Sequence, residues 1–140
     1  VNLLLYHGAN TRLFDKRGQT ALAGAVINNH IAVVATLLKN GADTEIADGN
    51  WSSPLLFATE HNKHEIMEML LEHGAKVNHQ DSQGTTALMI AAEKGDLTAV
   101  QILLENNADI KIVDLSEKNA LFYARKNSHY EIAGLFEKML

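Results

Sequence analysis

The residues whose types and spacing come closest to a chemical site lie between Glu60 and Glu68, where the sequence reads EHNKHEIME. His64, Glu65 and Glu68 resemble the start of the zinc-protease motif H-E-x-x-H, in which two histidines one helical turn apart bind the metal. The second histidine is absent here, and the chain has no cysteine for a structural zinc site. We therefore expect no metal ion in this segment, which we interpret as a loop followed by a solvated helix start.

Motifs for nucleophilic catalysis or phosphate binding are also absent. No serine or lysine stands in a recognisable nucleophile context, and no glycine-rich loop follows a strand pattern. The glycines and aspartates instead recur with one regular spacing that fits turns, where glycine accepts unusual backbone angles and aspartate caps nearby N–H groups. These residues are Gly8, Gly18, Gly41, Gly74 and Gly84, together with Asp15, Asp48, Asp81 and Asp114. We expect no catalytic residue and no cofactor, and the chain is predicted not to be an enzyme.

The regular spacing extends along the whole chain. A shift of 33 residues places each leucine pair on the next, together with a following glycine or asparagine. The aligned residues are Leu4-Leu5, Leu37-Leu38, Leu70-Leu71 and Leu103-Leu104, then Gly8, Gly41, Gly74 and Asn107. Several anchors returning at one period are the signature of a repeat protein. The predicted units are 9–41, 42–74, 75–107 and 108–140, and residues 1–8 are interpreted as the tail of a preceding unit.

Each unit is predicted to form a pair of short helices. The first helix of a pair begins after a residue whose side-chain oxygen can accept a hydrogen bond from the first turn. These predicted N-caps are Thr20, Ser53, Thr86 and Asn119. The only proline, Pro54, falls at the first helical position, where its missing N–H does no harm. Helices of about 8–10 residues do not persist alone, so stacking between successive pairs must supply the stability.

These units resemble the ankyrin repeat, whose pattern is D-x-x-G-x-T-P-L-H-x-A-A, then G-H, then a second helix closing with L-L-x-x-G-A-D. The chain reads DKRGQTALAGAV, DGNWSSPLLFAT, DSQGTTALMIAA and DLSEKNALFYAR, with the closing segments LLKNGAD, LLEHGAK and LLENNAD. The resemblance covers all 140 residues and implies a single all-α domain, a solenoid of stacked helix-turn-helix units with β-turn or hairpin fingers. The family's histidine is replaced by an apolar residue in every unit, at Ala23, Leu56, Met89 and Phe122. Apolar packing between repeats is expected in its place.

The two ends of the array differ in sequence. Residues 1–8 are interpreted as the second helix of a unit whose first half is missing, and the chain has no initiator methionine. We therefore expect a segment of a longer protein, monomeric but able to self-associate through this open N-terminal edge. At the other end, Arg125 replaces Val26, Thr59 and Ala92 of the earlier units, and Glu137 replaces a leucine, at positions that face the next repeat. A polar outer face is typical of a C-terminal capping repeat.

Composition and charge limit the partners. Repeat 42–74 has seven acidic residues against one lysine, a net charge of −6, whereas repeat 9–41 has four basic residues against one aspartate, a net charge of +3. The acidic repeat is interpreted as a solvated face, with docking of a basic partner as the alternative. Nucleic-acid binding is not expected, because it requires a face of unopposed cations. No run approaches the ~18 apolar residues of a membrane-spanning helix, and the lack of cysteine fits an intracellular protein, cytoplasmic or alternatively nuclear.

The ankyrin resemblance implies that binding takes place at the finger tips and on the exposed part of the first helices, which line a concave groove. The predicted partner-binding residues are Phe14, Lys16, Arg17, Gln19, Asn50, Trp51, Ser52, Glu60, His61, Gln83, Glu93, Lys94, Leu115 and Lys126. Trp51 stands out because it occupies the turn position of Gly18 and Gly84, which favours a positive φ. Tryptophan is enriched among binding hot spots, so Trp51 is predicted to contact the partner. The alternative is that its ring folds over Pro54.

The remaining aromatic residues are assigned to the core. Phe57, Ile90 and Tyr123 align with one another, and their helical spacing directs them toward the partner helix. The same assignment is made for Tyr6, Phe122, Tyr130 and Phe136, of which Tyr130 is expected to be the most exposed.

A protein–protein interaction module, part of a larger intracellular protein and binding a partner protein or peptide, is the function these observations favour. Two alternatives stay open: a structural spacer, and an intramolecular docking scaffold for other domains of the same protein.

Overall fold

The computed structural model describes residues 20–45 and 53–140, and these residues form eight helices with no β-strand between them. The helices follow one another in pairs joined by short turns. Their bounds are α1 Ala21–Ile27, α2 Ile31–Lys39, α3 Pro54–Glu60, α4 His64–Glu72, α5 Ala87–Lys94, α6 Leu97–Glu105, α7 Ala120–Lys126 and α8 Tyr130–Met139. The predicted all-α fold of stacked helix-turn-helix units is confirmed.

The first helix of every pair begins at its predicted N-cap. The side-chain oxygen of Thr86 accepts a hydrogen bond from the backbone N–H of Met89 at 3.3 Å, and Asn119 does the same for Phe122 at 3.0 Å. Thr20 and Ser53 cap α1 and α3 in the same way, and Pro54 occupies the first turn of α3. Each cap satisfies one of the N–H groups that a helix N-terminus leaves without a partner.

Three of the four second helices, α2, α4 and α6, are followed by a left-handed residue. Gly41, Gly74 and Asn107 have φ values of 77°, 88° and 66°. This conformation lets the next residue turn back, so that the N–H of Ala75 donates to the carbonyl oxygen of Leu70 at 3.0 Å. Asparagine tolerates the left-handed region better than other residues with a Cβ, which accounts for Asn107.

The turn inside each pair has a second left-handed position. It is occupied by Asn29, Asn62, Gly95 and Ser128, with φ between 55° and 74°. The four positions recur at the same spacing of 33 residues as the helix caps. The recurrence of asparagine, glycine and serine, which tolerate this conformation, could have predicted the turn.

The core is a continuous apolar layer between successive pairs. First helices stack on first helices, α1 on α3, α3 on α5 and α5 on α7, and the second helices α2, α4 and α6 stack in the same order. Leu70 and Leu103 are completely buried in this layer, and Leu37 is nearly so. Burying one such side chain contributes about 1.5–3 kcal/mol, so the stacking supplies the stability that the short helices lack.

Polar side chains also connect successive repeats at equivalent positions. The Glu45 carboxylate accepts a hydrogen bond from the backbone N–H of Lys76 at 2.6 Å, and the Asn78 side-chain oxygen accepts one from Asp109 N–H at 2.8 Å. Each of these bonds satisfies a backbone donor in the loop that follows a second helix. The sequence analysis assigned no role to either acceptor.

The apolar replacement of the family's histidine is buried in three of the four repeats. Ala23, Leu56 and Met89 are 7%, 2% and 2% exposed, as predicted, but Phe122 is 39% exposed. The core assignment is therefore wrong for Phe122, because in the earlier repeats the first helix of the following pair covers this position. Among the described residues no helix follows α8.

The other aromatic assignments have mixed outcomes. Phe136 is fully buried as predicted, and Phe57, Ile90 and Tyr123 are partly buried against the core. Tyr130 is 73% exposed, so its core assignment is wrong, although it was expected to be the most exposed of its group. Tyr6 lies outside the described residues.

Candidate functional site

The predicted partner-binding residues divide into two sets. Those that the structure describes are all exposed: Glu60, His61, Gln83, Glu93, Lys94, Leu115 and Lys126. Phe14, Lys16, Arg17, Gln19, Asn50, Trp51 and Ser52 lie outside the described residues, so the prediction for Trp51 stays a prediction. The described part of the candidate surface is therefore carried by the fingers and first helices of the third and fourth repeats, together with the end of α3.

The fingers of these two repeats are built by the same aspartate turn. In the third repeat, the Asp81 carboxylate accepts hydrogen bonds from the backbone N–H groups of Gln83 and Thr85 at 2.8 and 2.9 Å. In the fourth, Asp114 accepts from Ser116 and Lys118 at 2.8 and 3.0 Å. The structure thus confirms that both aspartates cap local backbone.

The tip of each finger requires a left-handed residue. Gly84 has φ 80° in the third repeat, and Glu117 holds the equivalent position with φ 60° in the fourth. A Cβ added to Gly84 would lie 2.9 Å from the Asp114 Cα atom, so the two fingers approach too closely for a side chain there. The backbone angle favours glycine at this position, and the approach of the neighbouring finger requires it.

Hydrogen bonds join the third finger to the fourth. The backbone N–H of Leu115 donates to the carbonyl oxygen of Gln83 at 3.0 Å. The Gln80 side-chain amide donates to the carbonyl oxygens of Gly84 and Val113 at 2.8 and 3.0 Å, so that it bridges its own finger and the next one. These bonds fix the backbone at Leu115, whose side chain is 75% exposed at the finger surface, beside Val113 at 45%.

The last finger is also tied to its own first helix. The Tyr123 hydroxyl in α7 donates a short hydrogen bond to the Asp114 carboxylate. This bond lowers the pKa of Asp114 below its ordinary value of 3.8, with support from the N–H groups of Lys118 and Ser116 against the opposing effect of burial. The same bond, reinforced by burial, raises the pKa of Tyr123 to about 12. The pair therefore keeps a charged carboxylate and a neutral phenol at neutral pH.

The turns at the opposite end of the helices form an open groove between the second and third repeats. It has a volume of about 440 Å³ and is lined by Asn62, His64, Lys94 and Asp96. The His64 Nε2 atom lies 2.6 Å from an Asp96 carboxylate oxygen, and the other Asp96 oxygen accepts from the Ala99 N–H, capping α6. The helix start at 64–68 is predicted to be solvated. Glu65 and Glu68 are exposed in agreement with this, whereas His64 bonds the next repeat and is only partly exposed.

A second histidine packs between the third and fourth repeats. The His129 imidazole lies against Gly95, where an added Cβ would come within 2.5 Å of the ring, and its Nε2 atom is 3.0 Å from the Glu93 carbonyl oxygen. The absence of a side chain on Gly95 leaves the space that the ring fills. His64 and His129 both act as contacts between repeats, which the sequence spacing alone did not indicate.

Metal-holding clusters and membrane-spanning helices are both absent from the part of the chain that the structure describes. No group of three or more His, Asp or Glu side chains in it is arranged to hold a metal ion. No helix within residues 20–45 and 53–140 is long and apolar enough to cross a membrane.

Comparison with known families gives two matches. A family model described as ankyrin repeats (3 copies) matches residues 55–138, which is well over half of the chain, and one described as ankyrin repeats (many copies) matches residues 23–71. No curated protein gave a match. Ankyrin repeats are generally protein-interaction modules and the fold is non-catalytic. The stacked helix pairs, the aspartate fingers and these matches together establish that the chain belongs to the ankyrin repeat family.

Proposed function

We propose that this chain is a protein-interaction module that binds a partner protein or peptide through the surface formed by its fingers and first helices. The observation that carries the proposal is Leu115, a leucine 75% exposed at the surface of the last finger. The equivalent residue in the third repeat is Ser82, which is also exposed. Because the same turn forms with serine there, the fold does not require a leucine at this position, and binding is the use that remains for it.

Rigidity supports the same proposal. Leu115 is held by its backbone bond to Gln83 and by the Asp114 turn on either side of it. A finger backbone already fixed in place loses little conformational freedom when a partner covers it, so more of the contact energy appears as affinity. Val113, 45% exposed, extends the apolar surface.

The surroundings of Leu115 have the composition of an interface rim. Gln83 lies on the adjacent finger, and exposed side chains of both signs follow along the first helices. These are Glu60, Glu93, Lys94 and Lys126. An apolar centre surrounded by mixed polar groups is the common arrangement at protein interfaces. The mixture of signs indicates that shape and the apolar anchor matter more for this partner than net charge does.

A photo-crosslinking amino acid placed at residue 115 tests the proposal in cells that express the full-length parent protein. The matched control places the same amino acid at Tyr130, which is 73% exposed but lies at the start of α8. We expect one dominant crosslinked protein from position 115 and none from position 130. Crosslinks from position 130 alone, or from neither position, would contradict the proposal.

The identity of the crosslinked species decides between the two roles of the surface. A crosslink to a separate polypeptide supports a module that binds other proteins, whereas a crosslink within the parent protein supports an intramolecular docking scaffold. For a separate partner, Leu115→Ala should weaken binding by about 2 kcal/mol in titration calorimetry, the size typical of a hot spot.

A further inference from the structure

The outer side of the last helix pair carries a groove of about 530 Å³ that the finger surface does not include. It is lined by Asn119, Leu121, Phe122, Arg125 and Lys126, and it is called the end groove below. Of these five residues only Lys126 belongs to the predicted partner-binding set. The end groove is therefore a second surface to be explained.

An exposed aromatic ring forms the apolar part of the end groove. Phe122 is 39% exposed, whereas Met89 at the equivalent position of the third repeat is 2% exposed. The Lys118 ammonium lies 4.7 Å from the centre of the Phe122 ring, and the Tyr123 ring meets it edge-on at 5.5 Å. These contacts hold the ring in place and leave part of its surface available to a partner.

Cations surround this ring. Arg125 and Lys126 line the end groove, Lys118 lies over Phe122, and no carboxylate is among the described residues that line it. Glu137 accepts hydrogen bonds from the Arg125 guanidinium at 2.5 and 3.1 Å through one oxygen atom, and the buried Asp114 carboxylate interacts electrostatically with Lys118. A face that needed only to be polar could use charges of either sign. The excess of positive charge next to an exposed aromatic ring selects an anionic ligand that also has an apolar group.

We propose that the end groove binds an acidic segment of a partner protein, which places an apolar side chain against Phe122. Carboxylates of the segment pair with Lys126, Lys118 and the outward edge of Arg125, and the apolar side chain covers the exposed part of the ring. Such a segment complements both the charge and the shape of the groove, which neither a basic nor a fully polar segment does.

Selection from a random peptide library displayed on phage, with the whole chain as bait, tests this proposal. The enriched peptides are synthesised with a fluorophore, and their Kd values are measured by anisotropy at low and at moderate salt. We expect enriched peptides with net negative charge and at least one large apolar residue, and weaker binding as salt screens the charges. Phe122→Ala should weaken binding about ten-fold.

Exchanging the two charges of the Arg125–Glu137 ion pair tests the electrostatic contribution to peptide binding. The double variant Arg125→Glu with Glu137→Arg retains an ion pair and the net charge, but replaces a cation of the end groove with a carboxylate. It should weaken binding of the acidic peptides, with folding checked by circular dichroism. If the swap unfolds the last repeat, Lys126→Glu makes the same test on a side chain that is exposed and lacks this ion pair.

Leu115→Ser is the control for location, because it alters the finger surface and leaves the end groove intact. Acidic peptides that lose binding with Leu115→Ser and not with Phe122→Ala bind at the fingers, which overturns this inference while supporting the proposed function. Enrichment of neutral or basic peptides, or of none, also overturns it. A dimer seen by sedimentation and abolished by Phe122→Ala would assign the end groove to a second copy of the chain instead.

Discussion

The third repeat, 75–107, and the fourth, 108–140, share one backbone and differ in what they expose. Both begin the first helix at a side-chain cap, build the finger on an aspartate and use a left-handed residue at its tip. No large hydrophobic residue of the third repeat is exposed. All the exposed large hydrophobic residues of the described chain lie in the fourth: Val113, Leu115, Phe122, Tyr130, Met139 and Leu140.

The comparison separates features that one repeat determines by itself from features that depend on the neighbouring repeat. Caps and turns depend on residues within one repeat, so both repeats form them whatever lies next to them. Burial depends on the following repeat, so Met89 is covered and Phe122 is not, although both occupy the same place in their helix. Positions that the stacking does not use are then free to acquire a binding role.

Truncation of the equivalent side chains of Met89 and Phe122 to alanine should give the largest difference in the free energy of unfolding. Met89→Ala creates a cavity between α5 and the neighbouring first helices and should destabilise the chain by about 2–5 kcal/mol. Phe122→Ala removes a partly exposed ring and should lower the free energy of unfolding by less than about 1.5 kcal/mol. Urea unfolding followed by circular dichroism measures both. Equal losses would show that Phe122 packs in the core after all.

Substitutions at the equivalent tip positions 84 and 117 should change the stability of the chain in opposite directions. Gly84→Ala introduces a Cβ in the left-handed region and 2.9 Å from the Asp114 Cα atom, and should destabilise by about 2–3 kcal/mol. Glu117→Gly relieves a strained side-chain residue with φ 60° and should stabilise by up to about 1 kcal/mol. Melting temperatures of the two variants test this pair. A tolerated Gly84→Ala would mean that the two fingers are not held together as described.

Tyr123 should make the fourth repeat sensitive to pH at both extremes. The folded pKa of Asp114 lies below 3.8, so its contribution to stability is present above that value and is lost as the pH falls through the folded pKa. The folded pKa of Tyr123 is raised from 10.0 to about 12, so its contribution is present below pH 10 and is lost as the pH rises toward 12.

Tyr123→Phe removes this hydrogen bond to a charged group and should cost about 1.5 kcal/mol at neutral pH. It should also flatten the stability profile above pH 10, where the phenol of the wild type ionises in the unfolded chain but stays neutral in the folded one. Unfolding free energies measured between pH 3 and pH 11 compare the two proteins. Ile90→Val, at the equivalent position of the third repeat, is a control that should leave the shape of the profile unchanged. An unaltered alkaline limb in Tyr123→Phe would contradict the assignment.

The smallest effect is expected for the ion pair on the outer face. Arg125 and Glu137 are 60% and 48% exposed, so Glu137→Gln should change the free energy of unfolding by less than about 1 kcal/mol, and less again at high salt. Thermal melts at two salt concentrations measure it. A loss that salt does not reduce would indicate that Glu137 has a packing role.

The sequence alone was enough to predict those parts of the fold that depend on a single repeat. The period placed the caps at Thr86 and Asn119 and the left-handed residues at Gly74 and Asn107, since each of these depends on local backbone chemistry. Contacts between repeats were harder to predict from the sequence. His64 reaches Asp96 across a spacing of 32 residues, and nothing in either residue's own repeat indicates the partner.

The candidate site was predictable to a smaller extent. The exposure of Leu115 followed from its place on the finger, whereas that of Phe122 was missed because a residue-by-residue pattern treats every copy of a repeat as covered by the next. The hypothesis for Trp51 rests on its alignment with Gly18 and Gly84, and in the structure Gly84 and the equivalent Glu117 adopt positive φ. A crosslinker at residue 51, beside the one at 115, extends the test to that finger.

The stacking of first helix on first helix has a consequence for how this molecule can change in length. Each pair stacks on its neighbours through equivalent helices, so a copy of 75–107 inserted after residue 107 should stack in the same order. Such an insertion lengthens the array by one module without a compensating change elsewhere in the chain. The molecule can in this way grow or shrink in whole units, while the residues at the tips diverge independently.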